Sequence, residues 1–239
     1  MAKASGLATR FFIEGADLSG DVASISGVGS SQALLDVTTL ENSANARLAG
    51  LKDGTLSLNA FFDAATGKGH DVWVSNSGKM PTTDQNCLVA LGNTVGDPCL
   101  MTVAKEATYY VDRPTGGPVS CTVDLSAGNG TSPDFGQLLT GGKVSDGSGT
   151  TYTAVDGAAQ TTGGARAMIQ AFSITSGTAT VTIQDSPDNV TYGTLQAFTA
   201  VTAKSSEAIA ISGTVERYVK VVTSGTFSTL VLAVAFIRL

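Results

Sequence analysis

Residues 56–62 show the clearest hydrophobic pattern in the chain, because Leu56, Leu58 and Ala60 alternate with other residues. A period of two is typical of a β-strand with one buried face. The segment follows a Lys-Asp-Gly sequence at 52–54 that favours a tight turn. The pattern therefore predicts a half-buried strand entered from a turn.

Short apolar or alternating segments recur along most of the chain, separated by Gly, Ser, Thr, Asp and Asn. They predict strands at 9–16, 22–28, 33–37, 87–92, 100–111, 119–125, 167–175, 178–184, 193–200, 206–212, 216–222 and 230–238. Residues 41–49 fit either a single helical turn or a loop. The predicted fold class is all-β, and the close spacing of strands in the second half is typical of a small sandwich.

Residues 127–164 differ in character, since they are rich in Gly, Ser and Thr and poor in apolar residues. A structureless connection of this length is uncommon inside a compact domain, which favours a linker or an interaction arm. The sequence thus predicts a β domain over 1–126, a linker or arm over 127–164, and a C-terminal β-sandwich module over 165–239.

Composition narrows the function classes. Of the 239 residues, 42% are hydrophobic and 14% are charged, against roughly 25% charged in ordinary domains. So low a charge favours a surface that is largely covered by other subunits, and a β-rich composition alone also gives it. The net charge of −6 and the scattered Lys and Arg argue against specific nucleic-acid binding. Mild acidity suits a surface past which DNA slides without sticking, and it equally aids solubility.

No catalytic or metal-binding motif stands out. The single histidine, His70, comes without a nucleophile motif, and Cys87, Cys99 and Cys121 lack the spacing of a zinc site. Either Cys87 and Cys99 form one bridge or all three thiols are reduced. Residues 185–189 fit an Asx-turn or a set of calcium-ligating oxygens. We therefore predict no enzymatic activity, no cofactor and no metal.

Neither end of the chain indicates a membrane segment. Residues 1–12 lack the apolar core of a secretory signal, and Leu230–Ile237 is far shorter than the roughly 20 apolar residues that span a bilayer. We expect no membrane partner.

Two segments resemble proteins of long-tailed bacteriophages. DVTTLENSANARLAGLKDGTLSLNAFFD (36–63) resembles the N-terminal region of major tail tube proteins, in which an Asp/Thr-rich segment leads through "GL-DGT-SL" into a central strand. IQDSPDNVTYGTLQAFTAV (183–201), GTVERYVKVV (213–222) and a last strand ending at Arg238 look like a C-terminal module of tail proteins, with its "QxSxDxxTW" turn and "RYVRV" strand. Tyr192 stands at the aromatic position of that turn.

The resemblance implies a tail-tube-type β-sandwich or barrel that closes with its neighbours into rings, usually hexamers, which stack into a conduit for phage DNA. It implies a structural virion protein in the phage tail, assembled in the bacterial host cytoplasm. Its partners would be copies of itself, other phage tail proteins and double-stranded DNA passing without specific contacts. If both halves were tube-type domains, three copies would complete the ring.

The same resemblance suggests site residues. Two segments between strands, 36–50 and 112–118, are candidates for loops that order on stacking. The predicted ring-stacking residues are Asp36, Asn42, Asn45, Arg47 and Lys52. The predicted lumen-facing acids are Asp17, Asp21, Glu41 and Asp53.

Two other classes of function stay open. The chain could be a capsid or tail decoration, or a tail-tip protein, that binds a host surface glycan through its second half. A hydrolase with an unrecognised site ranks last, because the sequence has one histidine and no catalytic motif.

Overall fold

The computed structural model describes residues 6–74, 78–128, 130–147 and 149–239. The prediction of an all-β chain is confirmed, since the described residues form eighteen strands. Their helical structure consists of a 3-10 turn at Gly6–Ala8 and one short helix, α1, at Gly69–Trp73. No helix in the described ranges is long and apolar enough to cross a membrane.

The strands fall into two groups along the chain. The first comprises β1 Arg10–Ile13, β2 Ala16–Asp17, β3 Val22–Ser26, β4 Ser31–Asp36, β5 Arg47–Asp53, β6 Thr55–Phe61, β7 Gln85–Ala90, β8 Pro98–Asp112 and β9 Ser120–Ala127. The second comprises β10 Asp134–Leu138, β11 Val144–Asp146, β12 Val155–Asp156, β13 Ala165–Ile174, β14 Gly177–Ser186, β15 Gly193–Ala197, β16 Ser205–Ile211, β17 Tyr218–Phe227 and β18 Leu230–Arg238.

The N-terminal half is an antiparallel sheet that curls around its own core in the order β3-β6-β9-β8-β7-β1-β2. Strand β6 shows the alternation that the sequence predicts, because Leu56, Leu58 and Ala60 are buried while Asn59 and Phe61 are exposed. Leu56 and Leu58 join Trp73 of α1 and side chains from the neighbouring strands in one apolar cluster. The outer face of β6 is left polar, except at Phe61.

The C-terminal half is a sandwich, as the strand spacing predicts. One layer is β12-β17-β14-β15, and the other is β16-β13-β18-β11. Alternate residues of β14, β17, β13 and β18 interdigitate between the layers, among them Val181, Val221, Ile169 and Leu232, each at most 1% exposed. This packing accounts for the apolar character of the last strand, which is buried on both faces.

Residues 127–164, predicted as a linker or an interaction segment, contain strands β10, β11 and β12. Strand β10 pairs with β8 on one side and β18 on the other, so the two halves share one twelve-stranded sheet. The strands escape a pattern search because they are two to five residues long and lie between glycines. The three-part division of the chain stays a prediction.

The two halves also meet through side chains. Gln170 is fully buried in β13, where its Oε1 accepts from the Gly15 amide (2.7 Å) and its Nε2 donates to the Asn86 carbonyl (2.9 Å). Gly15 has a φ of +68°, and a Cβ there would lie 2.7 Å from the Ala171 carbonyl oxygen. A glycine is therefore required where β1 turns against the C-terminal half. We call these contacts the joint.

One sequence interpretation needs correction. Residues 41–46 form the loop at the end of a β-hairpin, as one of the two readings predicts, but residues 47–49 belong to its second strand, β5. Ala49 and Gly50, read as loop residues, lie in β5. The β-propensity of the segment is low, and the cross-strand pairing with β4 decides its structure.

Candidate assembly interface

The most unusual surface of the molecule is the hairpin formed by residues 31–53, which we call the arm. Its strands β4 and β5 pair only with each other. Nearly every residue of both strands is exposed. The arm leaves the body between β3 and β6, at the end of β6 that begins with Thr55.

The arm exposes large apolar side chains. Leu35 lies opposite Leu48, so the two share one face, and both are more than half exposed, at 56% and 57%. The register shift between Gln32 and Leu34 lets Leu51, at 88% exposure, follow them along the arm. The resulting stripe is not covered by any other part of the described chain.

Such a stripe is physically costly in isolation. A lone two-stranded hairpin is marginally stable in water, and it needs a third strand or a packing surface for lasting order. Contiguous apolar residues on a surface mark sites of protein contact. The geometry therefore indicates that a partner completes the arm.

The tip of the arm, residues 37–46, is held by side-chain hydrogen bonds. The Thr38 amide and hydroxyl donate to Asp36 Oδ1 (2.9 and 2.6 Å), and these bonds hold the pKa of Asp36 below its ordinary value. The Thr39 amide and hydroxyl donate to Asn42 Oδ1 (2.8 and 2.7 Å). Local Asx and Thr bonding thus shapes the tip, which presents Leu40 fully to solvent.

The structure brings the five predicted ring-stacking residues together on the arm. Asp36 and Asn42 organise the tip through the bonds just described. Asn45 and Arg47 are exposed, and Lys52 Nζ lies 3.9 Å from the Asp134 carboxylate at the base of the arm. Their role in ring stacking stays a prediction.

Two of the four predicted lumen acids, Asp17 and Asp21, are engaged within the chain. Burial acts to raise the pKa of Asp17, but the hydrogen bonds from Lys143 (2.8 Å) and Ser19 outweigh burial. The pKa of Asp17 therefore lies below its ordinary value. Asp21 is 7% exposed, and its Oδ2 accepts from the Gly69 amide at 3.0 Å, where α1 begins. Both carboxylates therefore have structural partners in the protomer.

The other two predicted lumen acids, Glu41 and Asp53, lie on the arm and are exposed. Glu41 is at the tip, beside Leu40. Asp53 is at the base, where its Oδ1 accepts from the Gly54 amide at 2.7 Å. Whether any of the four acids faces a lumen stays a prediction.

A second exposed apolar region lies at the opposite end of β6. Phe61 is 51% exposed, Tyr110 67% and Val111 37%. They border the exposed turn at 112–118, which joins β8 to β9 and is the other segment predicted to order on stacking. We call Phe61, Tyr110, Val111 and this turn the distal surface. Sequence reasoning missed these three residues because strand residues near core positions are assumed to be buried.

The "QxSxDxxTW"-like segment is a structural turn. Asp188 Oδ1 accepts from the amides of Val190 and Thr191, both at 2.9 Å, and from the Ser186 hydroxyl at 2.8 Å. These bonds lower the pKa of Asp188. Asn189 takes a φ of +61°, as this turn requires. Of the two sequence readings, the Asx-turn is the one formed.

An aromatic and cationic cluster covers the outer face of the C-terminal sandwich next to that turn. Lys220 Nζ lies 3.5 Å from the ring centroid of Tyr192, and the Arg217 guanidinium lies 4.9 Å from that of Tyr218. Cations over the ring faces stabilise this surface. They also occupy faces on which a ligand would stack.

The described residues contain no arrangement typical of catalysis. His70 Nδ1 lies 2.7 Å from the Tyr109 hydroxyl, and its ring packs on Phe62. All three cysteines are free and buried, and burial raises the pKa of each thiol. Cys87 and Cys99 contribute to different apolar clusters, on opposite faces of the sheet, so they cannot form a bridge. No group of metal-ligating side chains occurs in the described ranges.

Glu106 is a buried carboxyl group without a hydrogen bond in the described part of the chain. It is 7% exposed at the irregularity in β8, and neither carboxyl oxygen has a partner. Burial raises its pKa to about 8. The group is therefore largely protonated at neutral pH, since ionising it there would leave an uncompensated buried charge.

No protein-family model matches the sequence, and no curated protein matches it. Among solved structures, the chain is similar to the Dit protein (gp 19.1) of phage SPP1, described as a paradigm of the hub adsorption apparatus of phages that infect Gram-positive bacteria. The identity is 13%, the alignment covers 96% of this chain and 99% of that one, and the TM-score is 0.39.

Two further structures are similar. One is the tail of an empty gene transfer agent particle with C6 symmetry, at 14% identity, covering 56% of this chain and 98% of that one with a TM-score of 0.40. The other is the baseplate of phage p2 in its activated conformation, at 8% identity, covering 94% and 97% with a TM-score of 0.34. These neighbours are components of phage or phage-like tails. At such identities and TM-scores they do not establish what this chain does.

Proposed function

We propose that the protein is a structural subunit of a phage tail. Copies of it associate into rings of six, or of three, and the rings stack into a tube through which double-stranded DNA passes. Its other partners are further tail proteins, and it needs no cofactor. It is assembled in the host cytoplasm and resides in the virion tail.

The single observation that carries this proposal is the uncovered apolar stripe of the arm. A hairpin that exposes Leu35, Leu48 and Leu51 is incomplete as a monomer. The arm overlaps the segment 36–63 that resembles tail tube proteins, so part of the resemblance falls on the exposed surface. Self-association covers the stripe without requiring any second kind of protein.

Charge supports a passive conduit. The chain has 14 basic and 20 acidic residues, and several of its Lys and Arg side chains are paired with carboxylates in the protomer. A surface of this kind lacks the basic stripe that holds nucleic acid by its phosphates. Of the predicted lumen acids, Glu41 and Asp53 would contribute most to a negative wall because they are exposed.

Negative-stain electron microscopy of the purified protein over a concentration series tests the proposal. Rings or stacked tubes with a central hole of about 20 Å or more, wide enough for duplex DNA, are the expected result. Discrete monomers at every concentration would contradict it. In assembled particles, Asp53→Asn should slow DNA ejection, and unchanged ejection would reject the lumen assignment of this acid.

A second candidate function is a tail-tip or decoration protein that binds a host surface glycan. The observation in its favour is the cluster of Tyr192, Tyr218, Lys220 and Arg217 on the C-terminal sandwich, since sugars stack on aromatic rings. Glycan-array binding that is lost in Tyr218→Ala would favour this function. The cations that already cover the ring faces count against it.

A further inference from the structure

The two uncovered apolar regions lie at opposite ends of the same strand. The arm joins β6 at Thr55, whereas Phe61 ends the strand beside the turn at 112–118. Seven residues in extended conformation separate the two ends by about 20 Å at ~3.3 Å per residue. The arm and the distal surface of one copy are therefore separate patches.

Separate patches favour one kind of contact between copies. An isologous contact uses the same patch twice, whereas two different patches at opposite ends join copies head to tail. Such a contact covers the tip of the arm and the distal surface in every copy except those at the ends of an assembly. It also propagates into rings or stacks, as the proposed function requires.

The two regions match in chemistry. At the arm tip the fully exposed Leu40 stands beside Glu41, and on the distal surface the exposed Tyr110 and Val111 stand beside Arg113. Neither Glu41 nor Arg113 has an ion-pair or hydrogen-bond partner within the described chain. Each apolar region thus has an unpaired charge at its edge, and the two charges are opposite in sign.

A second pair of charges, one on the arm and one on the distal surface, is also opposite in sign. Arg47 lies at the start of β5, next to the tip of the arm, and Asp112 lies beside Arg113. Both are exposed and unpaired within the described chain. Complementary charges at the rim of an apolar contact fix its register and suppress other pairings.

We propose that the tip of the arm of one copy docks on the distal surface of a second copy, placing Leu40 against Tyr110 and Glu41 against Arg113. This proposal rests on the self-assembly proposed above and adds the receiving surface and the direction of the contact.

Cross-linking between two single-cysteine variants tests the contact directly. The native cysteines are buried, so Leu40→Cys on one copy and Thr115→Cys on a size-tagged copy provide the accessible thiols. A short bis-maleimide should give a mixed dimer in at least tenfold higher yield than either variant alone. The matched control pairs Leu40→Cys with Ser176→Cys, an exposed position in the turn between β13 and β14.

Charge reversal then tests the register. Adding Glu41→Arg to the first copy, or Arg113→Glu to the second, should reduce the mixed dimer about fivefold or more, and combining the two should restore it. A yield no higher than that of the Ser176→Cys control would overturn the docking site. So would two reversals that fail to rescue each other while both variants stay folded by circular dichroism.

The outcomes separate the two proposals. Rings or tubes without the mixed cross-link would leave the proposed function standing and reject this contact. Neither rings nor cross-link would reject both. Self-cross-linking of Leu40→Cys alone would show an isologous contact and overturn the head-to-tail direction.

Discussion

The arm and the C-terminal sandwich are both built from antiparallel strands, yet they treat their apolar residues in opposite ways. In the sandwich, Val181 and Val221 are fully buried between two layers. In the arm, Leu48 and Leu51 are more than half exposed on a sheet of two strands. The sandwich is complete within one chain, whereas the apolar face of the arm is left uncovered by the rest of the described chain.

Under the self-association proposed above, the two regions contribute to different free energies. Residues of the sandwich contribute to the free energy of unfolding of the monomer. Apolar residues of the arm contribute little to it, because they gain their buried area only on association. The same chemical change should therefore have different consequences in the two regions.

The largest difference is expected when aspartate replaces one apolar residue in each region. Val221→Asp should destabilise the protein by about 4 kcal/mol or more, because it buries an unpaired carboxylate between the layers. Leu48→Asp should change the free energy of unfolding by less than about 0.5 kcal/mol, because its side chain stays in water. Chemical denaturation of the two purified variants measures the contrast.

The formation of rings and tubes should be sensitive to the substitution in the arm, which hardly affects stability. Leu48→Asp should abolish rings and tubes in negative stain while leaving a folded monomer, because it places charge in the apolar stripe. If Leu48→Asp lowered stability as much as Val221→Asp, the arm would be packed within the monomer and the comparison would fail.

The sandwich and the arm also differ in how much of their structure the sequence predicts. The alternation of β6 and the strands of the sandwich were predictable, because burial in a sheet imposes a period of two. In the arm, the sequence leaves residues 41–49 as a helical turn or a loop and misses the start of β5 at Arg47, since Gly50 and the polar tip weaken the pattern. Its exposed leucines look like core residues to any pattern search, because exposure depends on the absence of a third layer.

Some features had no usable signal in the sequence. Strand β10 has five residues, Asp134–Leu138, and its place between β8 and β18 depends on long-range pairing. The buried bonds of Gln170 likewise depend on residues more than eighty positions away. The turn at Asp188 was predictable, because Asx bonding is local.

The joint provides a test of how firmly the two halves of the body are held together. Gly15→Ala should lower the free energy of unfolding by about 2–4 kcal/mol, because the new Cβ would meet the Ala171 carbonyl oxygen at 2.7 Å in a left-handed backbone conformation. Gly213→Ala is a matched control with a φ of +92° and open space around its Cβ, so it should cost about 1 kcal/mol. Thermal unfolding compares them, and equal losses would mean that the joint is compliant.

Glu106 lies in the body but, like the apolar residues of the arm, has no partner in the described part of the chain. Its pKa is raised to about 8 in the folded protein. The folded state therefore binds a proton that the unfolded state has lost, and stability falls as pH rises from about 4.5 to about 8. Above that range the destabilisation is complete.

Glu106→Gln removes this dependence. The variant should match the wild type near pH 4.5 and exceed it by about 1–3 kcal/mol at pH 9, because the amide cannot ionise. Urea denaturation at pH 5, 7 and 9 measures the difference, with the exposed Glu41→Gln as the control. A constant difference across the three pH values would show that Glu106 is ionised in the folded protein and has a partner.

The smallest effect is expected at the exposed turn of the sandwich. Asp188→Ala removes the acceptor of the Val190 and Thr191 amides and should lower the melting temperature less than Gly15→Ala does, because water replaces the lost bonds. Asp188→Asn keeps the acceptor oxygen and should retain most of the stability. Since the pKa of Asp188 is lowered in the fold, its charge stabilises the protein above its ordinary pKa, and this contribution is lost as pH falls through the lowered value. The difference in melting temperature between the wild type and Asp188→Asn should therefore shrink at acidic pH. A difference that grows there would show that Asp188 acts through its shape and not through its charge.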